Sequence, residues 1–277
     1  MKILKFIYLS FLGIALLSAC AKHDFFDETS ITGNIGPHAY WEIGSAAISA
    51  GSEMPFEVQY YTTVENTEID RSEVWYNIFE TEYKSVSCPW VISRTYSITS
   101  SISEEKRVSQ KIQEYPHALA AWDTLRHAYS FNATFPISNT LNVFTWKPDV
   151  FEYDKMETYF GAGFMENFKD SLSTIMTYAD YKNMLIGLDI VDDFKQYTDS
   201  TLDLNQGDDV YVYHFPNHTV PAEVTELYDN VPFDRLIEKA SVYYVGYERS
   251  YYINAILRVY DKRGVYGTTI SKEIYIN

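Results

Sequence analysis

The sequence predicts a mainly β fold with a helical insertion, in which antiparallel strands form a β-sandwich. Runs of alternating apolar and polar residues occur towards both ends of the chain, as in strands that bury one face. Aromatic residues, which favour strands, are abundant, with 25 tyrosines and 16 phenylalanines. Between the two groups of strands, residues 151–240 show helical periodicity instead. The alternative is two consecutive domains that divide near residue 150.

Residues 1–19 are predicted to be a cleaved targeting signal. Lys2 and Lys5 precede an apolar run, Phe6–Leu17, that is too short to span a bilayer. The segment Leu17-Ser18-Ala19-Cys20 resembles the lipobox of bacterial lipoproteins. The resemblance implies that Cys20 carries lipid and begins the mature chain, and two or more acyl chains hold a protein firmly on a membrane.

The residues after Cys20 indicate which membrane holds the anchor. Ala21 stands where an aspartate would retain such lipoproteins in the inner membrane, so the resemblance implies the outer membrane. His23–Glu28 resembles the acidic export tag of Bacteroidetes surface lipoproteins, although an ordinary acidic tether has the same composition. We therefore expect a tether over residues 20–36 and a lipid-anchored location at the outer membrane, on the cell surface.

Three strands are predicted in the first half of the chain. They cover Met54–Tyr61, Glu73–Tyr83 and Val86–Ile98. Short polar turns separate them, which favours antiparallel neighbours in a sandwich. Glu104–Tyr115 suits a strand and a helix equally, because its apolar residues fit both periods.

The middle of the chain has the periodicity of helices. The apolar face of the longest predicted helix consists of Phe164, Phe168, Leu172, Ile175 and Ala179. Shorter elements are predicted at Asp180–Leu185 (helix), Val210–Phe215 (strand), Pro221–Tyr228 (helix) and Pro232–Glu238 (helix). Proline in the first turn is typical of the last two.

The C-terminal part returns to the strand pattern. Strands are predicted over Val242–Tyr247, Tyr251–Tyr260 and Tyr266–Ile276. Asp261-Lys262-Arg263-Gly264 joins the last two as a hairpin turn, with glycine where φ can be positive.

These last two strands, Tyr252–Ile276, resemble the final strands of immunoglobulin-like and fibronectin-type domains. The resemblance implies an immunoglobulin/fibronectin-like antiparallel β-sandwich. We expect it to cover residues 37–277 and to carry the helical insertion at about 151–240.

The net charge and the cysteine content each exclude one property. The net charge of −16 argues against binding nucleic acid. Because Cys20 is expected to be lipidated, Cys88 has no cysteine with which to form an intramolecular disulfide. We expect Cys88 to be a small buried apolar residue.

Standard catalytic signatures are absent from the sequence. It has no Gly-x-Ser-x-Gly elbow, no His-Glu-x-x-His, no phosphate-binding glycine loop and no Cys-x-x-Cys. We therefore predict that the protein is not an enzyme and has no catalytic residues.

No cofactor is expected, although one loop carries candidate calcium ligands. Oxygen ligands suited to calcium crowd one loop, at Asp199, Asp203, Asn205, Asp208 and Asp209. A solvated acidic loop is the alternative. His214 and His218 lie four residues apart, but Pro216 breaks any helix between them, which favours a loop pair over a metal pair.

Four features together resemble accessory surface lipoproteins of Bacteroidetes: the lipobox, the acidic tether, the aromatic-rich strands and the absence of catalytic motifs. Many of these lipoproteins serve glycan-uptake systems of the starch-utilisation type. The resemblance implies a non-catalytic protein that binds a glycan or docks on an outer-membrane transporter. Trp90 and Trp122 are the predicted glycan-binding residues because they lie near turns, whereas Trp75 is expected in the core.

Two other functions stay open. A structural or adhesive protein–protein interaction module would expose an apolar patch or an unpaired strand edge. A glycoside hydrolase would have a deep pocket with two convergent carboxylates.

Overall fold

The computed structural model describes residues 35–92, 96–203 and 210–277. The predicted signal peptide, Cys20 and all but the end of the predicted tether lie outside these residues. With 47% of the chain in strands and 21% in helices, the prediction of a mainly β fold with helices is confirmed. No helix of the described residues is long and apolar enough to cross a membrane.

The described residues form fifteen strands and five α-helices. The strands are β1 (His38–Ile43), β2 (Ala47–Ile48), β3 (Glu53–Tyr61), β4 (Ile69–Cys88), β5 (Tyr96–Pro116), β6 (Ala121–Asp123), β7 (Ala128–Pro136), β8 (Phe144–Trp146), β9 (Asp199–Leu202), β10 (Tyr211–His214), β11 (Glu238–Lys239), β12 (Val242–Tyr243), β13 (Val245–Asp261), β14 (Tyr266–Thr268) and β15 (Lys272–Ile276). The helices are α1 (Tyr153–Phe160), α2 (Phe164–Ser173), α3 (Tyr178–Gly187), α4 (Ala222–Asp229) and α5 (Phe233–Ile237).

Two sheets contain most of the strands. The small sheet has the antiparallel order β1-β3-β7-β6. The large sheet has the order β2-β15-β13-β4-β5, in which only the β2–β15 pair is parallel. The edge of β13 opposite β4 pairs in succession with β8, β15 and β14. Two further hairpins, β9–β10 and β11–β12, stand apart from these sheets.

The two sheets face each other across a hydrophobic core, here called the sandwich core. Alternate residues of β3, which are Met54, Phe56, Val58 and Tyr60, point into it. The large sheet contributes Val74, Tyr76, Ile78, Ile253, Ala255, Leu257 and Val259. Rings from the two sheets meet directly, since Phe56 lies 5.3 Å from Tyr115 and Tyr76 lies 6.4 Å from Phe135.

The helices pack around a second core, here called the helical core. Phe168 and Leu172 of α2 are buried there, on the apolar face that the sequence predicts. The long strands supply Val86, Cys88 and Val245. From Val74 to Cys88 in β4, the residues that enter the two cores have even numbers, so both cores lie on the same face of the large sheet.

The long helix expected through Ala179 is two helices. α2 ends at Ser173, where the hydroxyls of Ser173 and Thr174 hydrogen-bond to carbonyls of the preceding turn. Thr177 then caps α3 through a reciprocal pair of hydrogen bonds with Asp180. The apolar period continues across the break, which is why periodicity alone predicted one helix.

Three long strands join the two cores. β4 has 20 residues, β5 has 21 and β13 has 17. The segment 104–115, which suited a strand and a helix equally, is part of β5. In the described residues β5 pairs only with β4, so its other edge is unpaired.

Candidate functional site

The inner face of the large sheet is open between the two cores, and this stretch is here called the trough. Its floor consists of Glu80 and Glu82 from β4, Ile102, Glu104 and Lys106 from β5, Arg249 and Tyr251 from β13, and Phe144 from β8. Five of these residues line a cavity of about 190 Å³: Glu80, Glu82, Ile102, Glu104 and Lys106.

Strand periodicity explains why charged side chains occupy this face. Because side chains alternate between faces, Glu80 and Glu82 share the face of Ile78, which enters the sandwich core, and of Val86, which enters the helical core. Lys84 shares this face and lies between Glu82 and Val86. The trough is therefore the gap that the two packed units leave along a continuous sheet.

Strand register arranges the floor in two rows across the sheet. In one row Glu80 lies opposite Glu104 on one side and Tyr251 on the other. In the second row Glu82 lies opposite Arg249, with Ile102 and Phe144 as the outer members.

Each carboxylate of the floor has a partner. Tyr247 donates a hydrogen bond of 2.8 Å to Glu82, and Lys84 lies 3.3 Å from the same carboxylate. Lys106 lies 3.5 Å from Glu80 and 3.0 Å from Glu104. A carboxylate can accept about four hydrogen bonds, so capacity for ligand hydroxyl groups remains.

The protonation states follow from these contacts. Burial raises the pKa of the Glu82 carboxyl, but the hydrogen bonds from Tyr247 and Lys84 outweigh it, and the pKa lies below its ordinary value. Burial, together with bonding to Glu82, raises the pKa of Tyr247. Burial and a hydrogen bond to Glu80 likewise raise the pKa of Tyr251. At neutral pH Glu82 is therefore ionised and both phenols are protonated.

Aromatic rings border the trough on the side of the helical core. Tyr247 stacks on Tyr159 with ring centres 4.4 Å apart, and Phe144 lies 6.2 Å from Tyr247. Phe144 is 37% exposed, and the Arg249 guanidinium lies 6.0 Å from its ring. The Nε atom of Arg249 is buried without a hydrogen-bond partner among the described residues. This end of the trough thus offers an apolar surface beside a guanidinium group whose Nε–H is buried.

Trp90, one of the two predicted binding residues, lies away from the trough, against the helical core. Its indole N–H donates to the carbonyls of Arg235 and Glu238, at 3.1 Å and 2.9 Å. A Cβ at Gly187 would lie 2.5 Å from the ring, and the Lys239 ammonium lies 5.1 Å from the ring centre. A shallow cavity of about 200 Å³ adjoins the ring. These contacts suit a packing role, and glycan binding by Trp90 stays a prediction.

Trp122 lies in β6, an edge strand of the small sheet, and is 49% exposed. Its ring meets Tyr129 edge to face, with centres 5.0 Å apart. Tyr129 packs against the sandwich core, whereas Trp90 packs against the helical core, so the fold does not bring the two tryptophans together. Glycan binding by Trp122 also stays a prediction.

The expectation that Trp75 belongs to the core is wrong. Val74 and Tyr76 point into the sandwich core, so Trp75 lies on the outer face of the large sheet, where it is half-buried. Its indole N–H donates to Glu73 at 2.9 Å, and the Arg258 guanidinium covers its ring at 4.3 Å. A charged layer, rather than a second sheet, covers this tryptophan.

The predicted calcium loop is only partly described. Asp199 lies in β9 and Asp203 directly follows that strand, while Asn205, Asp208 and Asp209 lie outside the described residues. Within residues 35–92, 96–203 and 210–277, no three metal-ligating side chains come together. Calcium binding therefore stays a prediction.

The predicted loop pair of histidines lies close together. The rings of His214 and His218 stack with centres 4.0 Å apart, across a turn that contains Pro216. No third ligand joins them among the described residues, so this pair gives no indication of a metal site.

Sequence reasoning missed the trough. A signal was present, because Glu80–Lys84 is polar at alternate positions in the middle of a strand that is apolar towards both ends. No protein-family model matches the chain, and no curated protein is significantly similar to it. The chemistry of the trough must therefore be judged from its own geometry.

Proposed function

We propose that this protein is a lipid-anchored surface protein of the outer membrane that binds a glycan in the trough without catalysing a reaction. The observation that carries the proposal is the combination of partly satisfied carboxylates, the ammonium group of Lys106 and an exposed aromatic ring on one open floor. The lipid anchor on Cys20 and the surface location are part of the proposal and rest on the lipobox resemblance.

The chemistry of sugars matches this combination. Sugar hydroxyl groups both donate and accept hydrogen bonds, so they can donate to Glu80 or Glu82 and accept from the ammonium group of Lys106. The C–H faces of a sugar ring are apolar and pack on aromatic rings such as Phe144. Sites for small ligands generally combine apolar surface with a few polar groups that fix orientation.

A hydrolase is the weaker alternative for the same site. A glycosidase needs one carboxyl group whose pKa is raised so that it can donate a proton. The pKa of Glu82 is shifted in the opposite direction by Tyr247 and Lys84. The proposal therefore assigns the carboxylates to binding.

Docking on a transporter or another protein is the second candidate function. The unpaired edge of β5 and the β9–β10 hairpin favour it, since both are accessible for pairing with another chain. Large apolar residues of this hairpin region are exposed: Leu202, Val210, Tyr211, Val212 and Tyr213. This function and glycan binding use different surfaces, so they are compatible.

We also propose that the sandwich has the immunoglobulin-like topology. The order β1-β3-β7-β6 corresponds to strands A, B, E and D of that fold. The order β15-β13-β4-β5 corresponds to strands G, F, C and an added C′. The helical segment would then be inserted between strands E and F. An experimental structure superposed on such domains tests this assignment.

Affinity electrophoresis tests the proposed function. The chain from Ala21 to Asn277 is run through gels that contain plant, host or microbial polysaccharides. We expect one polymer to retard it, and Glu82→Gln to weaken that binding about tenfold through loss of charge-assisted hydrogen bonds. Glu57→Gln is the matched control, because Glu57 lies on the small sheet and pairs with Arg126.

Two outcomes would contradict the proposal. If Trp122→Ala abolishes the retardation while Glu82→Gln leaves it unchanged, the glycan binds at the β6 edge of the small sheet instead. If no polymer retards the protein, glycan binding is rejected and protein docking becomes the leading function.

A further inference from the structure

We infer that the trough binds an internal stretch of a linear, uncharged glycan, which lies across the strands and leaves over the edge of β5. This inference rests on the proposed function and adds the form of the ligand. It starts from the dimensions of the floor, which crosses β5, β4, β13 and β8 in turn. Three spacings between neighbouring strands give a length of about 14 Å. One sugar ring would cover only part of this floor.

The polar groups of the floor are distributed along it rather than gathered at one point. β5 contributes Glu104, β4 contributes Glu80 and Glu82, and β13 contributes Arg249. A pocket for a chain end has to surround one sugar with hydrogen-bonding groups. Here, successive rings of an extended chain would each meet a polar group from the next strand.

Both ends of the floor are accessible. At one end Ile102 is 55% exposed on β5, whose outer edge is unpaired in the described residues. At the other end Phe144 is 37% exposed and follows Val143, which is 39% exposed. A bound chain can therefore continue beyond the floor in both directions.

Charge selects the chemical class of the chain. The protein has a net charge of −16, whereas the three carboxylates of the trough are matched locally by the cations Lys84, Lys106 and Arg249. Polysaccharides rich in uronic acid or sulfate would be repelled by the net charge of the protein. A neutral chain meets no such barrier and can donate its hydroxyl groups to the carboxylates.

Titration calorimetry with a size series of oligosaccharides, prepared from the polymer that retards the protein, tests the inference. We expect affinity to rise about tenfold or more from one to three sugar units and to level off beyond about four. Oligosaccharides modified at both ends should bind as tightly as unmodified ones of equal length.

Variants at the two ends of the floor add a structural test. Ile102→Ala and Phe144→Ala should each weaken binding of a tetrasaccharide severalfold, because each removes contact area at one end. Val108→Ala is the matched control, since Val108 is also an aliphatic residue of β5, is 75% exposed and lies outside the trough.

The possible failures are distinguishable. If the oligosaccharides bind but end-modified ones do not, or if a single sugar binds as tightly as a tetrasaccharide, the trough holds chain ends and only this inference is overturned. If Glu82→Gln, Ile102→Ala and Phe144→Ala all bind like the unmodified protein, the trough is not the site and the proposed function fails with it.

Discussion

The hydroxyl of Tyr247 donates a hydrogen bond of 2.8 Å to the carboxylate of Glu82, across the paired strands β13 and β4. This bond joins the wall of the helical core to the floor of the trough. It also fixes the charge state of the trough, because Glu82 has a lowered pKa and Tyr247 a raised one.

We expect Tyr247→Phe to destabilise the protein by about 1–2 kcal/mol at neutral pH, since it removes a hydrogen bond to a charged group. The folded-state pKa of Glu82 is below its ordinary value of 4.5, so this stabilisation is present above that pH and is lost as the pH falls through the folded-state pKa. Urea unfolding at about pH 7 and about pH 3 measures both effects. Equal destabilisation at the two pH values would contradict the assignment.

Glu73→Gln is expected to destabilise the outer face of the large sheet. Glu73 is 2% exposed and accepts hydrogen bonds of 2.9 Å from both Arg71 and Trp75. Loss of a partner in a buried pair costs about 3–5 kcal/mol, and because Arg71 is 32% exposed we expect about 2 kcal/mol here. Urea unfolding measures the loss. Glu114→Gln, on the same face but 48% exposed, should cost much less.

The pH dependence of the Glu73 contribution has a definite sign. Burial raises the pKa of Glu73. The hydrogen bonds from Arg71 and Trp75 and the charge of Lys111 lower this pKa by more than burial raises it, so the net shift is downward. The contribution is therefore present above the ordinary value of 4.5 and disappears at lower pH. A Glu73→Gln variant that stays less stable than the parent well below the folded-state pKa would contradict this account.

The β11–β12 hairpin contains a turn that should be improvable. Its two central residues, Ala240 and Ser241, have φ values of 52° and 61°, a conformation that suits asparagine and glycine. We expect Ala240→Asn combined with Ser241→Gly to stabilise the protein by about 1 kcal/mol, through relief of left-handed strain. Thermal unfolding measures the change. Ser241→Val should destabilise, and a stabilising valine would refute the assigned turn.

Cys88 should be inert in the native protein. It is fully buried in the helical core, as the sequence predicted, and burial raises the pKa of its thiol to about 11. Because the thiolate is the reactive form, iodoacetamide should leave the folded protein unmodified at pH 8 and alkylate Cys88 in urea. Mass spectrometry distinguishes alkylated from unmodified protein. Rapid modification without urea would place Cys88 at the surface.

The sequence predicted those elements whose local pattern was unambiguous. Alternation located Met54–Tyr61 within β3, and proline in the first turn located α4 and α5. The predicted turn at Asp261–Gly264 is also present, with Gly264 at φ 82°.

Local patterns could not predict features that depend on distant parts of the chain. Trp75 has the composition of a core residue, but its neighbours Val74 and Tyr76 take the inner face, and Arg258 comes from a strand far along the sequence. The trough likewise depends on parts of the chain that are distant in sequence. In the sequence, Glu80 and Glu82 resemble any exposed strand residues, and only the packing of a separate core on each side of them makes the trough.

The central position of β13 in the large sheet constrains when the chain can fold. This strand pairs with β4 and contributes side chains to both cores, yet it consists of residues 245–261 of a chain of 277. A chain that emerges from the ribosome N-terminus first can complete neither core until residues 245–261 have been made, and pairing over such sequence separations is slow. Both cores therefore depend on one late strand, and truncation of the chain before residue 245 should leave the N-terminal strands without a complete core.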